Sequence, residues 1–257
     1  MRPLVAVRRA IPFDRHFLTR SALFWPLARA AAAIEHYEDF PPLEALALVF
    51  EGEPRVRFVE APPRRRRGAG VEARALYDAR IALDGEVPTR VRCWHDLMNA
   101  LVWGTFPRAK RALHARQHRG ITEQLTPGAR KLPPARTPEL DALALLDEGG
   151  VVALSLDPRG ARASGASDTI VFGHAIYESL VLGVAPAVVA AIGLDVTRDR
   201  YPTEPDLVRA VDRALAGVIG DETTLMTPRD LMRMRITTEG LEPMHGCEPI
   251  RTRVELE

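Results

Sequence analysis

At 257 residues, 46% hydrophobic and 27% charged, the chain is long enough to bury one large core or two small ones. Its formal net charge of +1 excludes an overall field that would recruit nucleic acid or an anionic membrane. The two cysteines, Cys93 and Cys247, stand far apart with neither pairing nor metal spacing, which points to a reducing, cytoplasmic compartment.

The opening "MRPLVAVRRAIPFDRHF" is broken by charges and has no secretory core. "SALFWPLARAAAAI" is interrupted by Pro26 and Arg29 and is too short to span a bilayer. Residues 21–37 read as an alanine-rich helix with Ser21 as its cap, and 43–50 as a strand or a short helix. The alternation over 54–61 predicts a strand with Val56 and Phe58 on one face. "PPRRRRGAGVEA" reads as a solvated, mobile loop near 61–72.

A helix is expected from Arg92 to Phe106, ended by Pro107. A basic helix follows over 108–119, carrying Arg108, Lys110, Arg111, Arg116 and Arg119, with His114 and His118 on an exposed side. Residues 125–139 read as a proline-rich mobile linker. "ALALLDEGGVVALSL" (142–156) reads as two apolar strands around a tight turn, which puts Asp147 and Glu148 at a hairpin tip. Residues 169–183 begin β-branched and become helical after Gly173. An amphipathic helix over 205–219, capped by Thr203 or Asp206, a short helix over 227–234 and an edge strand over 250–256 complete the chain. The pattern predicts a single helix-rich α+β domain with a small antiparallel sheet.

The helix over 92–106 is apolar on nearly every side, yet it carries His95, Asp96 and Asn99. With His95 at zero on a helical wheel, Asn99 falls at about 40° and Asp96 at about 100°, interleaved with Val102, Phe106 and Trp103. A helix that is apolar all round is buried, so each polar group needs a partner or costs several kcal/mol. "GHAIYESLVL" repeats the arrangement, with Glu178 at about 40° from His174 in an otherwise apolar helix.

Two such helices facing each other would form one polar pocket. As a metal site, His95 and His174 would supply nitrogen ligands and Glu178, with Asp96 as a further candidate, oxygen. Two imidazoles and a carboxylate suit zinc, iron or manganese and leave a position open for water or substrate. Asp96 or Glu148 would then act as general base, and Asn99 would orient a ligand. As a purely structural alternative, His95 would meet Glu178 or Asp96 in a hydrogen-bond clasp with no chemistry. The chain has no nucleophile elbow, phosphate loop, dinucleotide fingerprint or His-Glu-x-x-His motif.

Three segments, "GEVPTRVRCWHDLMNALVWGTFPRAKRALHARQ" (85–117), "LDALALLDEGGVV" (140–152) and "FGHAIYESL" (172–180), carry a resemblance. Over roughly 77–182 the chain resembles the bacterial domain-of-unknown-function family number 3025. The family's typical segments stand here as His95, Asp96, Asn99, Trp103, Lys110, Asp147, Glu148, His174 and Glu178. His114 departs from the usual Asn, and "LEPMHGCEPI" lacks the usual Pro-Gly-Trp. The resemblance implies a bacterial origin and no particular activity.

The leading expectation is a metal-dependent hydrolase of a small-molecule or phosphorylated substrate, with Arg90 or Lys110 available to an anionic group. A related reading makes the metal iron and the reaction an oxidation. The alternative is a non-catalytic protein whose basic helix and arginine loop contact nucleic acid or an acidic partner.

Overall fold

The computed structural model describes residues 11–52, 56–63, 73–125, 135–154, 164–165, 168–184, 188–194, 196, 201–237 and 240–243. The loops expected near 61–72 and 125–139 lie largely outside these residues, and the edge strand expected over 250–256 lies wholly outside them.

The alanine-rich run makes less α-helix than its composition predicts. Ser21 accepts from the Leu23 N–H to cap a 3-10 turn, Ala22–Leu27, and α1 covers only Ala28–Ala32. Pro26 lies inside that turn, where it has no N–H to give to an α-helical ladder. Leu43–Val49 forms a second 3-10 helix. Strand β1 (Arg57–Glu60) pairs in parallel with β2 (Glu86–Thr89), across a segment holding α2 (Tyr77–Ala79) and the π-helical turn Arg80–Asp84. Gly85 closes that turn with a φ of 64°, a conformation that costs glycine little.

Helices α3 (Trp94–Thr105) and α4 (Pro107–Glu123) are the expected apolar and basic helices, with Pro107 opening the second. The first amides of α4 find an acceptor on a distant element: Asp212 receives the Arg108 N–H at 3.1 Å and the Ala109 N–H at 2.9 Å.

Residues 138–156 correct the hairpin expectation. Thr137 accepts from the Leu140 N–H, Pro138 takes the first helical position, and α5 runs Pro138–Gly149 into β3 (Gly150–Leu154). Asp147 and Glu148 therefore sit in the last turn of a helix. Leu140, Leu143 and Leu146, all buried, share the three-residue spacing of one helical face.

Strands β4 (Ser164–Gly165) and β5 (Thr169–Val171) precede α6 (His174–Val181) and β6 (Val189–Leu194). Helix α7 (Glu204–Gly220) starts from Thr203, whose side chain accepts from the Asp206 N–H. The short helix expected over 227–234 is a single 3-10 turn, Pro228–Asp230, leading into β7 (Met232–Thr237) and β8 (Gly240–Pro243).

The main sheet has the order β4-β8-β7-β6-β3-β5. It is mixed rather than antiparallel as expected: β3 and β6 run parallel, and the other neighbours are antiparallel. The parallel pair follows from the long connection through α6, since a parallel neighbour requires a crossover. Strand β3 is buried along its whole length, as a central strand covered on both faces should be. The fold is α+β and helix-rich, and no helix among the described residues is long and apolar enough to cross a membrane.

The junction between α5 and α6 brings their polar residues together. The Phe172 and Gly173 N–H groups both donate to the Gly150 carbonyl, at 3.0 and 2.8 Å. A Cβ on Gly173 would lie 2.4 Å from the Gly150 nitrogen and 2.5 Å from the Glu148 carbonyl oxygen. Glycine there lets the start of α6 touch the end of α5, which sets His174 beside Asp147 and Glu148.

Burial pushes the Asp212 carboxyl up to about 6, from an ordinary 3.8, against the pull of its two N–H donors. A raised acid contributes stability that is complete below the unfolded value and is lost as pH rises through the folded one. From pH 4 to 7 the protein should lose of order 3 kcal/mol that Asp212→Asn does not lose. Parallel pH profiles of unfolding free energy for the two proteins would contradict this.

Candidate metal centre

Three helix segments converge on one polar site. The first turns of α3 present His95, Asp96 and Asn99; α6 presents His174 and Glu178; the end of α5 presents Asp147 and Glu148. The imidazoles of His95 and His174 meet edge to face, with Nε2 to Nε2 at 3.1 Å. Glu148 Oε2 lies 3.5 Å from His174 Nε2. Among the described residues, these three form the one group of His, Cys, Asp or Glu side chains whose ligand atoms all lie within 4.8 Å of one another.

The far nitrogen of His95 is committed. Glu178 Oε2 stands 2.9 Å from His95 Nδ1, and an ionised carboxylate can only accept, so Nδ1 carries the proton. His174 Nδ1 is buried without a hydrogen-bond partner among the described residues, 4.0 Å from the Asp147 carboxylate. Burial lowers His174 to about 3, so its ring is neutral at ordinary pH. The hydrogen bond that His95 donates to Glu178 outweighs burial and raises the His95 pKa. Burial also raises Glu148, whose side chain is 54% exposed at the cavity mouth.

Glu178 and Glu148 stand differently toward the two rings. Glu178 lies on the Nδ1 side of His95, away from the point between the rings, where it orients the imidazole. Among the described residues, the carboxylate with an oxygen within 4.8 Å of both imidazole nitrogens is Glu148. Asp96 is held by Arg90, whose backbone N–H donates at 2.5 Å and whose guanidinium donates at 3.0 and 2.7 Å. Arg90 is thereby matched to Asp96, and it lines the cavity over the site beside Tyr77 and Asn99. That cavity has a volume of about 330 Å³.

Beneath it runs a chain of buried polar groups. Lys110, with no exposed surface, donates to Asn99 Oδ1 at 2.9 Å and to Asp147 Oδ1 at 2.5 Å, 5.6 Å from the Trp103 ring centre. Asn99 Nδ2 donates to the Tyr77 hydroxyl at 3.0 Å. Burial works to raise Asp147, but Lys110, His174 and His114 together hold it well below the carboxylate range. His114, expected on an exposed surface, is buried against Trp103 and pairs with Asp78 at 2.8 Å.

Sequence reasoning missed the Lys110–Asp147 pair and Tyr77. Lys110 was legible: Phe106, Lys110, Leu113 and Gln117 share the spacing of one helical face, and all four are buried. Tyr77, on a three-residue helix, offers no periodicity to read. The basic helix presents less charge than its sequence suggests. Arg116 is buried, bonded to Glu139 and to the carbonyls of Ile219, Asp221 and Thr224. Arg108, Arg111 and Arg119 remain outside, Arg119 facing Glu123 and Glu222. The arginine run at 64–67 lies outside the described residues.

A family described as "Protein of unknown function (DUF3025)" matches residues 66–164, and the chain resembles it over that span. The span is less than half of the chain; it carries His95, Asp96, Asn99, Lys110, Asp147 and Glu148 and stops before His174 and Glu178. No curated protein and no solved structure matches the chain.

Lys110→Met should strand a buried carboxylate and cost about 3–5 kcal/mol in urea unfolding. Adding Asp147→Asn should restore a large part of that loss, because the stranded charge is gone. A loss below about 1 kcal/mol in the single variant would contradict the pairing.

Proposed function

We propose that the chain is a cytoplasmic metal-dependent hydrolase of a small molecule, with His95, His174 and Glu148 holding one divalent ion. The observation that carries this reading is the pair of Nε2 atoms 3.1 Å apart, with Glu148 Oε2 3.5 Å from one of them and Glu178 holding His95 through Nδ1. In the deprotonated state that metal binding requires, with the ring proton of each imidazole on Nδ1, both Nε2 lone pairs can serve one cation.

Shape and charge favour a metal over a shared proton. Two ligands about 2.1 Å from a tetrahedral ion stand about 3.4 Å apart. The separations of 3.1 and 3.5 Å fall on either side of that value. With both rings neutral, four carboxylates (Asp96, Asp147, Glu148, Glu178) face two cations (Arg90, Lys110), which leaves two negative charges for a divalent ion. Two nitrogens and an oxygen suit zinc first, with iron and manganese as the other candidates.

In such a site the ion lowers the pKa of a bound water toward 7 and polarises a substrate oxygen. Glu178 holds His95 in its metal-ready tautomer, and Glu148 Oε1 is available for the proton that the water sheds. The cavity volume suits a small substrate.

Protein purified without chelator should contain about one equivalent of zinc, iron or manganese by elemental analysis, and His174→Ala should contain none. Glu178→Gln should bind the same metal about 10–100-fold more weakly, and binding should weaken as pH falls because the ligands must shed protons. Wild-type protein free of metal, and taking up none on addition, would contradict the reading.

A further inference from the structure

Within the proposed metal site we infer that Tyr77 is a catalytic hydrogen-bond donor and that the substrate is an uncharged carbonyl compound, an ester or amide, rather than a phosphate ester. The inference rests on the metal reading and adds the residue that would stabilise the developing oxyanion.

Lys110 fixes the orientation of everything above it. An ammonium group only donates, so the Asn99 atom 2.9 Å from Lys110 Nζ must be the carbonyl oxygen. That settles the amide orientation and turns Asn99 Nδ2 toward Tyr77, to whose hydroxyl oxygen it donates at 3.0 Å. The Tyr77 oxygen is therefore an acceptor in this bond, and its own hydrogen must go elsewhere. Among the described residues Tyr77 makes no other hydrogen bond, yet it lines the cavity shared with His95, Glu148 and His174. Tyr77 is 38% exposed, and a phenol keeps its proton at neutral pH. The result is a neutral donor, fixed by a buried ion pair, with its hydrogen free for whatever enters the cavity.

Charge selects the substrate class. A divalent ion would cancel the two uncompensated carboxylates, and Lys110 and Arg90 are already matched to Asp147 and Asp96. The loaded site would be close to neutral. Phosphoryl transfer needs metals, arginines or lysines aimed at the transferring group; here Lys110 is buried on Asp147, and Arg90 gives Nε and Nη2 to Asp96. A carbonyl carbon needs less: one Lewis acid, one donor and one proton acceptor. The water oxygen bonds to the carbonyl carbon as its proton passes to Glu148. The C=O π pair would move onto the carbonyl oxygen, whose charge the Tyr77 O–H would share with the Lewis acid that His95, His174 and Glu148 would hold. The tetrahedral species collapses as the C=O re-forms, the bond to the leaving oxygen or nitrogen breaks, and Glu148 returns the proton to that atom.

The test uses zinc-loaded full-length protein and calorimetry with acetohydroxamate, whose carbonyl oxygen mimics that of the substrate. Tyr77→Phe should bind acetohydroxamate about tenfold more weakly while its zinc affinity and unfolding midpoint stay unchanged. Asn99→Asp keeps the phenol but gives its hydrogen a carboxylate to bind, and should show a comparable loss. In competition against acetohydroxamate, inorganic phosphate should bind no more tightly than acetate. Equal hydroxamate affinity in wild type and both variants overturns the role of Tyr77, and a phosphate preference of about tenfold or more overturns the carbonyl assignment. Wild-type protein that takes up no zinc, iron or manganese overturns the metal reading itself, and this inference with it.

Discussion

Two imidazole nitrogens held 3.1 Å apart in the wall of a polar cavity are the constraint around which the polar interior is arranged. Neither ring can turn away freely: Glu178 grips Nδ1 of His95, and His174 is walled in against the end of α5. Imidazoles left to themselves in a core would each find a carbonyl or a water. Here the surrounding carboxylates favour positive charge at the point where the rings meet.

The supports of that point are long-range contacts. Gly150 and Gly173 let α5 and α6 touch, so that Glu148 and His174 share a neighbourhood although they stand on different elements. Lys110 reaches from α4 to join Asn99 on α3 and Asp147 on α5. An unpaired buried ammonium would cost several kcal/mol, so this residue makes sense only together with its two acceptors. Such a pair adds little net stability compared with apolar residues of the same volume, but it permits one arrangement of three helices. Asp212 plays a similar part at the corner between α3 and α4, by taking the first amides of α4.

Much of this was legible in the sequence where the chain is strongly periodic. The apolar surroundings of His95 and Asn99 on α3, and of His174 and Glu178 on α6, marked both faces as buried and pointed them toward each other. The α+β class followed from the same patterns. The pairing of ligands did not, because a helical wheel says which face a side chain occupies and not which end of a carboxylate meets which nitrogen. Glu148 was displaced because "LLDEGG" carries turn chemistry that also ends a helix, and the cap at Thr137 with its following proline was the better signal. The parallel pairing of β3 and β6 depends on a crossover that no local pattern encodes. His114 looked exposed because its neighbours on α4 are arginines, although its own face continues the stripe through Lys110, Leu113 and Gln117.

The central claim, that a metal ion belongs between His95 and His174, is tested most directly in crystals grown with zinc, by anomalous scattering on either side of the zinc absorption edge. A metal held there gives a single strong peak about 2.0–2.2 Å from both Nε2 atoms and from one oxygen of Glu148. A map with no peak between the two rings, their gap instead closed by a proton, would contradict it.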